Sequence, residues 1–320
     1  MPGPHETPRV SAIIPCYNGE RYVVDAVESV LAQTESRVEA IVVDDCSSDR
    51  SVARLEPLLS DPRLRILRHS GNRGIAAARN TGIRASDAEF VGLLDQDDLW
   101  LPEKTARQLA AFDEGPSDLG LVFSPVETRD AAGRPIKIIK GIQPPENLAE
   151  MPRTDALRAL YRGNFIQTAS TLIRRSCLAE IGLFDESIRG GADDFELWLR
   201  LAVRYRMHRL NETVALRRIH DENYSADASR MYGESLAYVE RFGHEHEELA
   251  DLVQPKLAWM HARLGSHYRN NGEYSRARAS YRRSLGHAFA WRTAFLLAMA
   301  GLGPLGGMLF RARRARMTGG

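Results

Sequence analysis

Three carboxylates stand within four positions of one another, directly after a short apolar segment. Residues 90–94 are Phe-Val-Gly-Leu-Leu, and Asp95, Asp97 and Asp98 follow them. Strands buried on both faces read as such continuous apolar runs, and in α/β proteins their carboxyl ends open onto the ligand crevice. Carboxylates this close repel one another unless a divalent cation or water lies among them. The segment therefore predicts a metal site, with a solvated acidic turn that begins the next helix as the alternative.

A second pair of carboxylates, Asp193 and Asp194, begins an amphipathic helix later in the chain. Acidic residues at a helix N-terminus are ordinary capping residues, so this pair alone leaves a structural and a catalytic role open. Polar residues also follow two earlier predicted strands, at Tyr17-Asn18 and at Asp44-Asp45. Because parallel strands end at the same edge of a sheet, we expect these groups to line one crevice together with Asp95.

Strand and helix patterns alternate through the first third of the chain. Predicted strands cover residues 10–15, 38–43, 64–67 and 90–94, and predicted helices cover 20–33, 51–59, 75–85 and 102–112. This alternation predicts an α/β fold, with a Rossmann-like, mostly parallel central sheet flanked by helices. Two further strands are predicted over residues 119–127 and 207–219, and from about residue 231 the pattern is helical without strands.

The change in pattern predicts an α/β domain over residues 1–228, a C-terminal helical extension over 229–290 and a tail over 291–320. In the extension, five residues fall at positions of a single tetratricopeptide repeat: Leu264, Gly265, Tyr268, Ala277 and Tyr281. One repeat cannot bury its own apolar face. We therefore expect a helical hairpin packed on the main domain, with repeat-mediated partner binding as the alternative.

The tail combines an uncharged stretch with a basic one. No charged residue occurs from Thr293 to Phe310, and arginines follow at positions 311, 313, 314 and 316. One interpretation is a buried terminal hairpin. The other is an anchor that inserts apolar side chains into the cytosolic leaflet and binds anionic headgroups through the arginines. Because the two stretches adjoin at one end of the chain, we favour the anchor, which predicts peripheral membrane association.

The composition of the chain indicates which partners and which cellular location to expect. Of the 320 residues, 43 are basic and 42 acidic, so the overall charge indicates no nucleic-acid partner. The cysteines Cys16, Cys46 and Cys177 are widely spaced and lack metal-ligand spacing, which indicates reduced thiols. Residues 1–9 hold no apolar signal-peptide core, so we expect a cytoplasmic protein.

Short motifs in a fixed order carry a resemblance over roughly residues 8–225. They lie at 10–18, 29–34, 42–49, 71–74, 78–80, 94–98, 182–186, 193–200 and 220–225. Each is weak alone, but in this order the chain resembles family 2 glycosyltransferases, which have the GT-A fold. The resemblance implies inverting transfer from a nucleotide-diphosphate sugar, with a UDP-sugar favoured, to a saccharide or lipid-linked acceptor in cell-surface polysaccharide biosynthesis. It also implies a nucleotide half over about residues 8–100 and an acceptor half over about 101–228.

The resemblance also implies roles for individual residues. Those on the donor side are Pro15, Tyr17, Asn18, Asp44, Asp45, Arg73, Asp95, His220, Asn223 and Ser225. Asp45 would accept from the base N–H, Arg73 would lie on the nucleotide or diphosphate side, and Asp95 would approach the ribose. His220 and the residues after it would fold over the diphosphate when donor binds.

For the reaction itself, the resemblance implies that Asp97 binds Mn²⁺ or Mg²⁺ as part of the family's DXD element, with Asp98 extending the cluster. Asp194 would be the general base, and Asp193 stands where the family usually has a glutamate. The chemistry agrees with these roles. A leaving diphosphate needs a cation to neutralise it, and the acceptor hydroxyl needs a carboxylate on the opposite face to take its proton.

Two other functions stay open on the sequence. A nucleotidyltransferase also pairs such a sheet with a metal-binding carboxylate, but it would need a glycine-rich, basic phosphate loop after the first strand, and residues 15–20 offer none. A non-catalytic nucleotide-sugar-binding scaffold would use the helical tail as its working part, although the carboxylates that transfer needs are all present.

Overall fold

The computed structural model describes residues 7–130, 132–136, 143–146, 148, 150–188, 192–220 and 228–303. Its strands are β1 (Val10–Cys16), β2 (Val38–Asp44), β3 (Leu64–Arg68), β4 (Phe90–Leu93), β5 (Leu99–Trp100), β6 (Leu119–Phe123), β7 (Val126–Asp130), β8 (Leu172–Arg174), β9 (Arg206–Arg209) and β10 (Ala215–Ile219). Its α-helices are α1 (Val23–Leu31), α2 (Ser51–Leu55), α3 (Ile75–Ala85), α4 (Lys104–Glu114), α5 (Arg153–Arg162), α6 (Arg175–Ile181), α7 (Asp193–Arg204), α8 (Ala228–Glu245), α9 (Ala250–Asn270), α10 (Tyr274–His287) and α11 (Trp291–Gly301).

The chain divides into two compact units. The first comprises Met1–Arg189 with Asp193–Asn223, and the second comprises Gly190–Ala192 with Tyr224–Gly320. All the strands named above lie in the first unit, whereas α8 to α11 lie in the second.

Seven strands of the first unit form one sheet, in the order β3-β2-β1-β4-β8-β6-β9. The pairs β1–β2, β1–β4, β2–β3 and β6–β9 are parallel. Strand β8 is antiparallel to both of its neighbours, β4 and β6. The predicted α/β fold with a mostly parallel central sheet is therefore confirmed.

Helices cover both faces of this sheet. Strand β1 is buried along its whole length, and alternate residues of a strand point to opposite faces. Ile14 belongs to the same apolar cluster as Val27 of α1. Ile13 faces α3, where a Cβ on Gly82 would lie only 2.5 Å from the Ile13 Cγ2 atom. Glycine at position 82 therefore lets α3 approach the sheet closely, and α3 carries residues of the candidate site.

Two segments that we expected to be single strands are divided between two sheets. Residues 119–127 form β6 in the large sheet and β7 in a three-stranded sheet of order β5-β10-β7. The chain changes sheet at Pro125, which has no N–H to donate to a ladder. Residues 207–219 likewise form β9 in the large sheet and β10 in the small one. Because β10 pairs with β5, which directly follows the acidic segment, its end lies beside Asp97 and Asp98.

The helical unit contains the predicted hairpin, which corresponds to α9 and α10. Gly265 of α9 lies against the Tyr281 ring of α10, since a Cβ at Gly265 would be 2.6 Å from the Tyr281 Cε1 atom. Tyr281 and Ala277 form a small core with Leu296 and Ala300 of α11. The packing of this hairpin on the main domain stays a prediction.

One side of α11 is thus buried, while aromatic side chains at its start are exposed. Phe289 is 80% exposed and Trp291 is 77% exposed. None of the helices in the described part of the chain is both long and apolar enough to cross a membrane. The rest of the predicted anchor, from residue 304 onwards, lies outside the described residues.

Candidate active site

Three loops at the carboxyl ends of β1, β2 and β4 are joined to one another by hydrogen bonds. The Asn18 N–H donates to Ser47 Oγ (3.0 Å), and the Ser48 N–H donates to Asn18 Oδ1 (2.9 Å). The Tyr17 N–H donates to Gln96 Oε1 (2.8 Å), and Gln96 Nε2 donates back to the Tyr17 carbonyl (3.1 Å). The polar strand ends therefore meet at one edge of the sheet, and Gln96 is a connecting residue that the sequence did not single out.

Two residues in these loops adopt left-handed backbone conformations. Asn18 has φ 50° and Cys46 has φ 64°. Asparagine adopts this region readily, but for other non-glycine residues it costs about 1–2 kcal/mol. Backbone strain of this kind clusters at functional sites, where the surrounding structure holds it in place. Pro15, also expected near the nucleotide, is buried within β1, whereas Tyr17 is 49% exposed.

Asp45 is buried and is surrounded by protein donors. Its carboxylate accepts the Arg73 N–H (2.9 Å) and the Gly74 N–H (2.7 Å), and His69 Nδ1 lies 2.6 Å from Oδ1. The other ring nitrogen of His69 is 2.9 Å from Thr81 Oγ1. A carboxylate offers about four lone-pair sites, so little acceptor capacity remains for a nucleobase. Asp45 fixes the loop before α3, and its role toward a base stays a prediction.

Asp44, next to it, is buried as well, and it accepts the Ser47 N–H (3.3 Å). Arg73 has its side chain half exposed, and its guanidinium pairs with Glu186 (3.1 Å). The neighbouring turn is fastened to α3 through Asn80, which donates to the Phe184 carbonyl (2.9 Å) and accepts the Phe184 N–H (3.0 Å). Residues 182–186 therefore lie against α3 and beside the loop that carries Arg73.

Asp97 lies beside His220. The His220 Nε2 atom is 2.9 Å from Asp97 Oδ2, and the His220 ring stacks on Tyr22 with centroids 4.8 Å apart. Burial, followed by the nearby negative charge of Asp95, raises the pKa of Asp97. The other two residues expected to fold over the diphosphate, Asn223 and Ser225, lie outside the described residues.

Asp98 is more deeply placed than Asp97. It is 6% exposed, and it accepts the Arg218 N–H of β10 (3.1 Å). Burial, followed by the charges of Asp97 and Asp95, raises the pKa of Asp98 well above its ordinary value. This contact ties the acidic loop to the small sheet, a structural role alongside the predicted role in metal binding.

The acidic loop fits a divalent cation only in part. Among the described residues, no group of three or more His, Cys, Asp or Glu side chains is arranged to hold a metal ion. Mg²⁺, however, is usually bound by one or two carboxylates together with substrate phosphates rather than by an all-protein cage. The Asp97 side chain is 18% exposed, and a cation would balance the nearby negative charge of Asp95, which together with burial raises the pKa of Asp97. Asp97 thus suits a cation that the donor diphosphate helps to hold.

Arg79 of α3 connects the acidic loop to the second carboxylate pair. Its Nη2 donates to Asp95 Oδ1 and its Nη1 donates to Asp193 Oδ2, and both distances are 2.7 Å. The guanidinium is buried and stacks on the Phe184 ring, 5.3 Å from its centroid. The sequence pattern indicated no separate role for Arg79. The one signal in the sequence is a charged residue within the alanine-rich segment of α3, and the structure shows that it is buried there.

Asp194 follows Asp193 at the start of α7 and is partly buried. Its Oδ2 accepts the Thr168 hydroxyl (2.9 Å), a contact that the sequence did not predict. Burial, followed by the charge of Asp193, raises the pKa of Asp194 to about 6, while Arg79 acts in the opposite direction. A carboxylate that ionises near neutral pH has the properties of a general base.

A family model described as Glycosyl transferase family 2 matches residues 11–182. An uncharacterized glycosyltransferase of Rickettsia felis is 28% identical over 274 residues, which are 84% of this chain and 44% of that protein. This chain therefore spans less than half the length of that relative. The succinoglycan biosynthesis protein ExoO of Rhizobium meliloti is 31% identical over 199 residues, 60% of this chain and 55% of that protein. The putative teichuronic acid biosynthesis glycosyltransferase TuaG of Bacillus subtilis is 30% identical over 222 residues, 69% of this chain and 82% of that protein.

Solved structures share the fold. Residues 1–349 of S. aureus TarS in complex with UDP-GlcNAc give a TM-score of 0.64 at 18% identity, covering 93% of this chain and 88% of that one. The mannosyltransferase PcManGT from Pyrobaculum calidifontis, in complex with GDP-Man and Mn²⁺, gives 0.59 at 19% identity, covering 94% and 82%. At these identities the likeness concerns the fold alone, and it confirms the expected GT-A architecture.

Proposed function

Because this chain belongs to glycosyltransferase family 2, we propose that it transfers a sugar from a nucleotide-diphosphate donor to a hydroxyl group of a saccharide or lipid-linked acceptor. The observation that supports this most is the Arg79 bridge, since Asp95 and Asp193 bind the same guanidinium. The acidic loop and the start of α7 are therefore held close together, which supports the proposal that they border one crevice. Inverting transfer needs such an arrangement, with the leaving diphosphate on one side and the base on the other.

In the proposed reaction, Asp194 takes the proton from the acceptor hydroxyl. The acceptor oxygen forms a bond to the anomeric carbon as the bond to the diphosphate breaks, which inverts that carbon and releases the nucleoside diphosphate. Thr168 holds the Asp194 carboxylate in place through its hydroxyl. A divalent cation, Mn²⁺ or Mg²⁺, supplies charge neutralisation for the diphosphate when it is bound, and Asp97 is the residue best suited to hold it.

On the donor side, Tyr17 and Asn18 are exposed loop residues that contact the nucleotide, together with Asp44, Asp45 and Arg73. Asp95 faces the ribose, and His220 lies beside Asp97, where it could approach the diphosphate. Solved relatives of the fold bind UDP-GlcNAc or GDP-Man, which supports a nucleotide sugar as the donor class. We favour a UDP-sugar on the resemblance described above.

The acceptor proposal rests on the curated relatives. ExoO belongs to succinoglycan biosynthesis and TuaG is assigned to teichuronic acid biosynthesis, both of which are polysaccharides. We place this chain in cell-surface polysaccharide biosynthesis on that similarity, with a saccharide or lipid-linked glycan as the acceptor.

A cytosolic membrane surface is the proposed location of the reaction. The exposed side chains of Phe289 and Trp291 at the start of α11 support it, because aromatic side chains bind well at the headgroup level of a bilayer. The uncharged residues up to Phe310 and the arginines after them add apolar and cationic groups in the same part of the sequence. The occupant that we propose for this aromatic surface is an anionic lipid bilayer.

The donor proposal is tested by incubating the full chain with a panel of UDP-, GDP- and dTDP-sugars and Mn²⁺. Slow hydrolysis of the donor is measured first, and transfer to added saccharides second. We expect hydrolysis of one donor class, dependent on the metal. A nucleotidyltransferase would instead form a nucleotide sugar from a nucleoside triphosphate and a sugar phosphate, and a scaffold would bind a donor without consuming it.

A further inference from the structure

The guanidinium of Arg79 is an unusual group to bury so completely. Its side chain is 4% exposed, and its Nε has no hydrogen-bond partner among the described residues. Both of its ion pairs pass through the terminal nitrogens, to Asp95 and to Asp193. Taking a charge out of water is strongly unfavourable, and only well-placed partners offset this. The two carboxylates are therefore the reason that an arginine can occupy this position.

The two partners of Arg79 belong to different parts of the fold. Asp95 follows β4 in the nucleotide half, and Asp193 is the first residue of α7, in the acceptor half. Asp193 is 2% exposed, so its carboxylate faces Arg79 rather than solvent. Since Asp194 is the next residue along the chain, fixing the Asp193 carboxylate also fixes the backbone that carries Asp194.

The residue after Arg79 makes a parallel connection. Asn80 binds both backbone groups of Phe184, and its Nδ2 also donates to Glu186 Oε1 (3.0 Å). The Phe184 ring in turn lies against the Arg79 guanidinium. Two consecutive residues of α3 therefore hold the turn that precedes α7 and the first residue of α7 itself.

We propose that Arg79 is a positioning residue, which sets the place of Asp194 relative to the donor-side residue Asp95, and that Asp193 is its partner in this role. The proposal rests on the proposed function, because it assumes that Asp194 is the base. The same proposal assigns a role to Asp193. The Asp193 carboxylate binds Arg79 and does not bind substrate.

The arrangement makes opposite predictions for the two partners. The charged groups that act on Asp194 are Asp193, on its own helix, and Arg79, from α3, while Thr168 is a neutral hydrogen-bond donor. Asp193 raises the pKa of Asp194, and Arg79 lowers it. Since the base works in its ionised form, activity rises with pH as Asp194 loses its proton. Removing the Arg79 charge moves this rise to higher pH, and removing the Asp193 charge moves it to lower pH.

The test compares Arg79→Gln, Arg79→Lys, Asp193→Asn and Asp193→Glu with the unaltered full chain. The kcat and the donor KM are measured across the acid limb of the pH profile, and folding is checked by thermal denaturation. We expect kcat to fall on the order of 10²-fold in Arg79→Gln, since a displacement of about 1 Å at a reacting group can cost that much. The donor KM should change much less, and the acid limbs of Arg79→Gln and Asp193→Asn should shift in opposite directions.

The two conservative variants distinguish the effect of the position of Asp194 from the effect of the charges around it. Arg79→Lys keeps the positive charge but cannot bridge two carboxylates in one plane, so its acid limb should stay near that of the unaltered chain while kcat falls. Asp193→Glu keeps the negative charge and the ability to reach Arg79, so we expect it to retain most of the activity.

Acid limbs that shift in the same direction, or an unchanged kcat in folded Arg79→Gln, would overturn the positioning role. Should Arg79→Gln fail to fold, Asp193→Asn decides the question, because it leaves Arg79 paired with Asp95. A failure of the proposed function looks different. In that case the unaltered chain transfers no sugar, whereas a failure of this inference leaves transfer intact and removes only the opposite shifts.

Discussion

Asp95 and Asp193 accept hydrogen bonds from the two terminal nitrogens of one buried guanidinium, and each donor–acceptor distance is 2.7 Å. One of these carboxylates follows a strand of the parallel sheet, and the other begins α7. Their common partner, Arg79, holds the candidate metal-binding loop close to the start of α7, which carries the candidate base.

The pH dependence of transfer should follow Asp194. Its pKa is raised to about 6, chiefly by burial, and the active form of a base is the ionised one. We therefore expect kcat to rise with pH, to reach half of its plateau near pH 6 and to level off at higher pH as Asp194 becomes fully ionised. The measurement is kcat at saturating donor and acceptor. A plateau that extends well below pH 5 would exclude Asp194 as the group that limits the rate.

Metal binding should distinguish Asp97 from Asp98. Asp97→Asn removes an anionic oxygen at the partly exposed position, so we expect the Mn²⁺ concentration for half-maximal activity to rise at least about tenfold. Asp98→Asn is the comparison, because an amide oxygen can still accept the Arg218 N–H at this buried position. Since Asp98 only extends the expected metal site, its variant should raise this Mn²⁺ concentration less than Asp97→Asn does. A larger rise in Asp98→Asn than in Asp97→Asn would contradict Asp97 as the main metal ligand.

The hairpin of α9 and α10 should not tolerate a side chain at Gly265. A Cβ there would lie 2.6 Å from the Tyr281 ring, so Gly265→Ala should destabilise the fold by about 1–3 kcal/mol. Gly286→Ala is the control, since Gly286 also lies in a helix but has no atom within 4 Å of its added Cβ. That variant should be neutral or stabilised by up to about 1 kcal/mol. Thermal denaturation measures both, and a Gly265→Ala variant as stable as Gly286→Ala would contradict this packing.

Vesicle binding tests the aromatic surface at the start of α11. The full chain should sediment with vesicles that contain anionic lipid and bind weakly to neutral ones, with salt reducing the binding. The double variant Phe289→Ser, Trp291→Ser should bind several-fold less. Phe295→Ser is the comparison variant. Because Phe295 is only 39% exposed, this variant should reduce vesicle binding less than the double variant does. Equal sedimentation of the double variant and the unaltered chain would exclude this surface as the contact.

Much of the fold could be predicted from local sequence patterns. The first four strands and the helices between them each carry their own apolar periodicity, and they occur close to the expected positions. The small sheet could not be predicted in this way. An apolar pattern indicates that Val126–Asp130 and Ala215–Ile219 are strands, but it does not specify which sheet a strand joins.

The residues of the candidate site were likewise predictable only in part. Asp95, Asp97 and Asp194 stand out because carboxylates at a strand end or a helix start are visible in a short window of sequence. Their partners do not stand out. Arg79 lies within an alanine-rich helix and Thr168 within a short 3₁₀ turn, and each contacts a carboxylate that is remote in sequence. Such pairs are determined by tertiary packing, which a single sequence does not display.

The most direct test of the proposed function is the Asp194→Asn variant, with Asp155→Asn as its control. Asp155 also lies in the first turn of a helix, α5, but it is exposed, and the start of α5 lies at the far end of α7 from Asp194, where Arg153 binds the Arg204 carbonyl. We expect Asp194→Asn to bind the donor as the unaltered chain does and to lose transfer by about 10²–10⁴-fold, the usual contribution of a general base, while Asp155→Asn keeps full activity. Transfer by Asp194→Asn at the rate of the unaltered chain would contradict the assignment of the base.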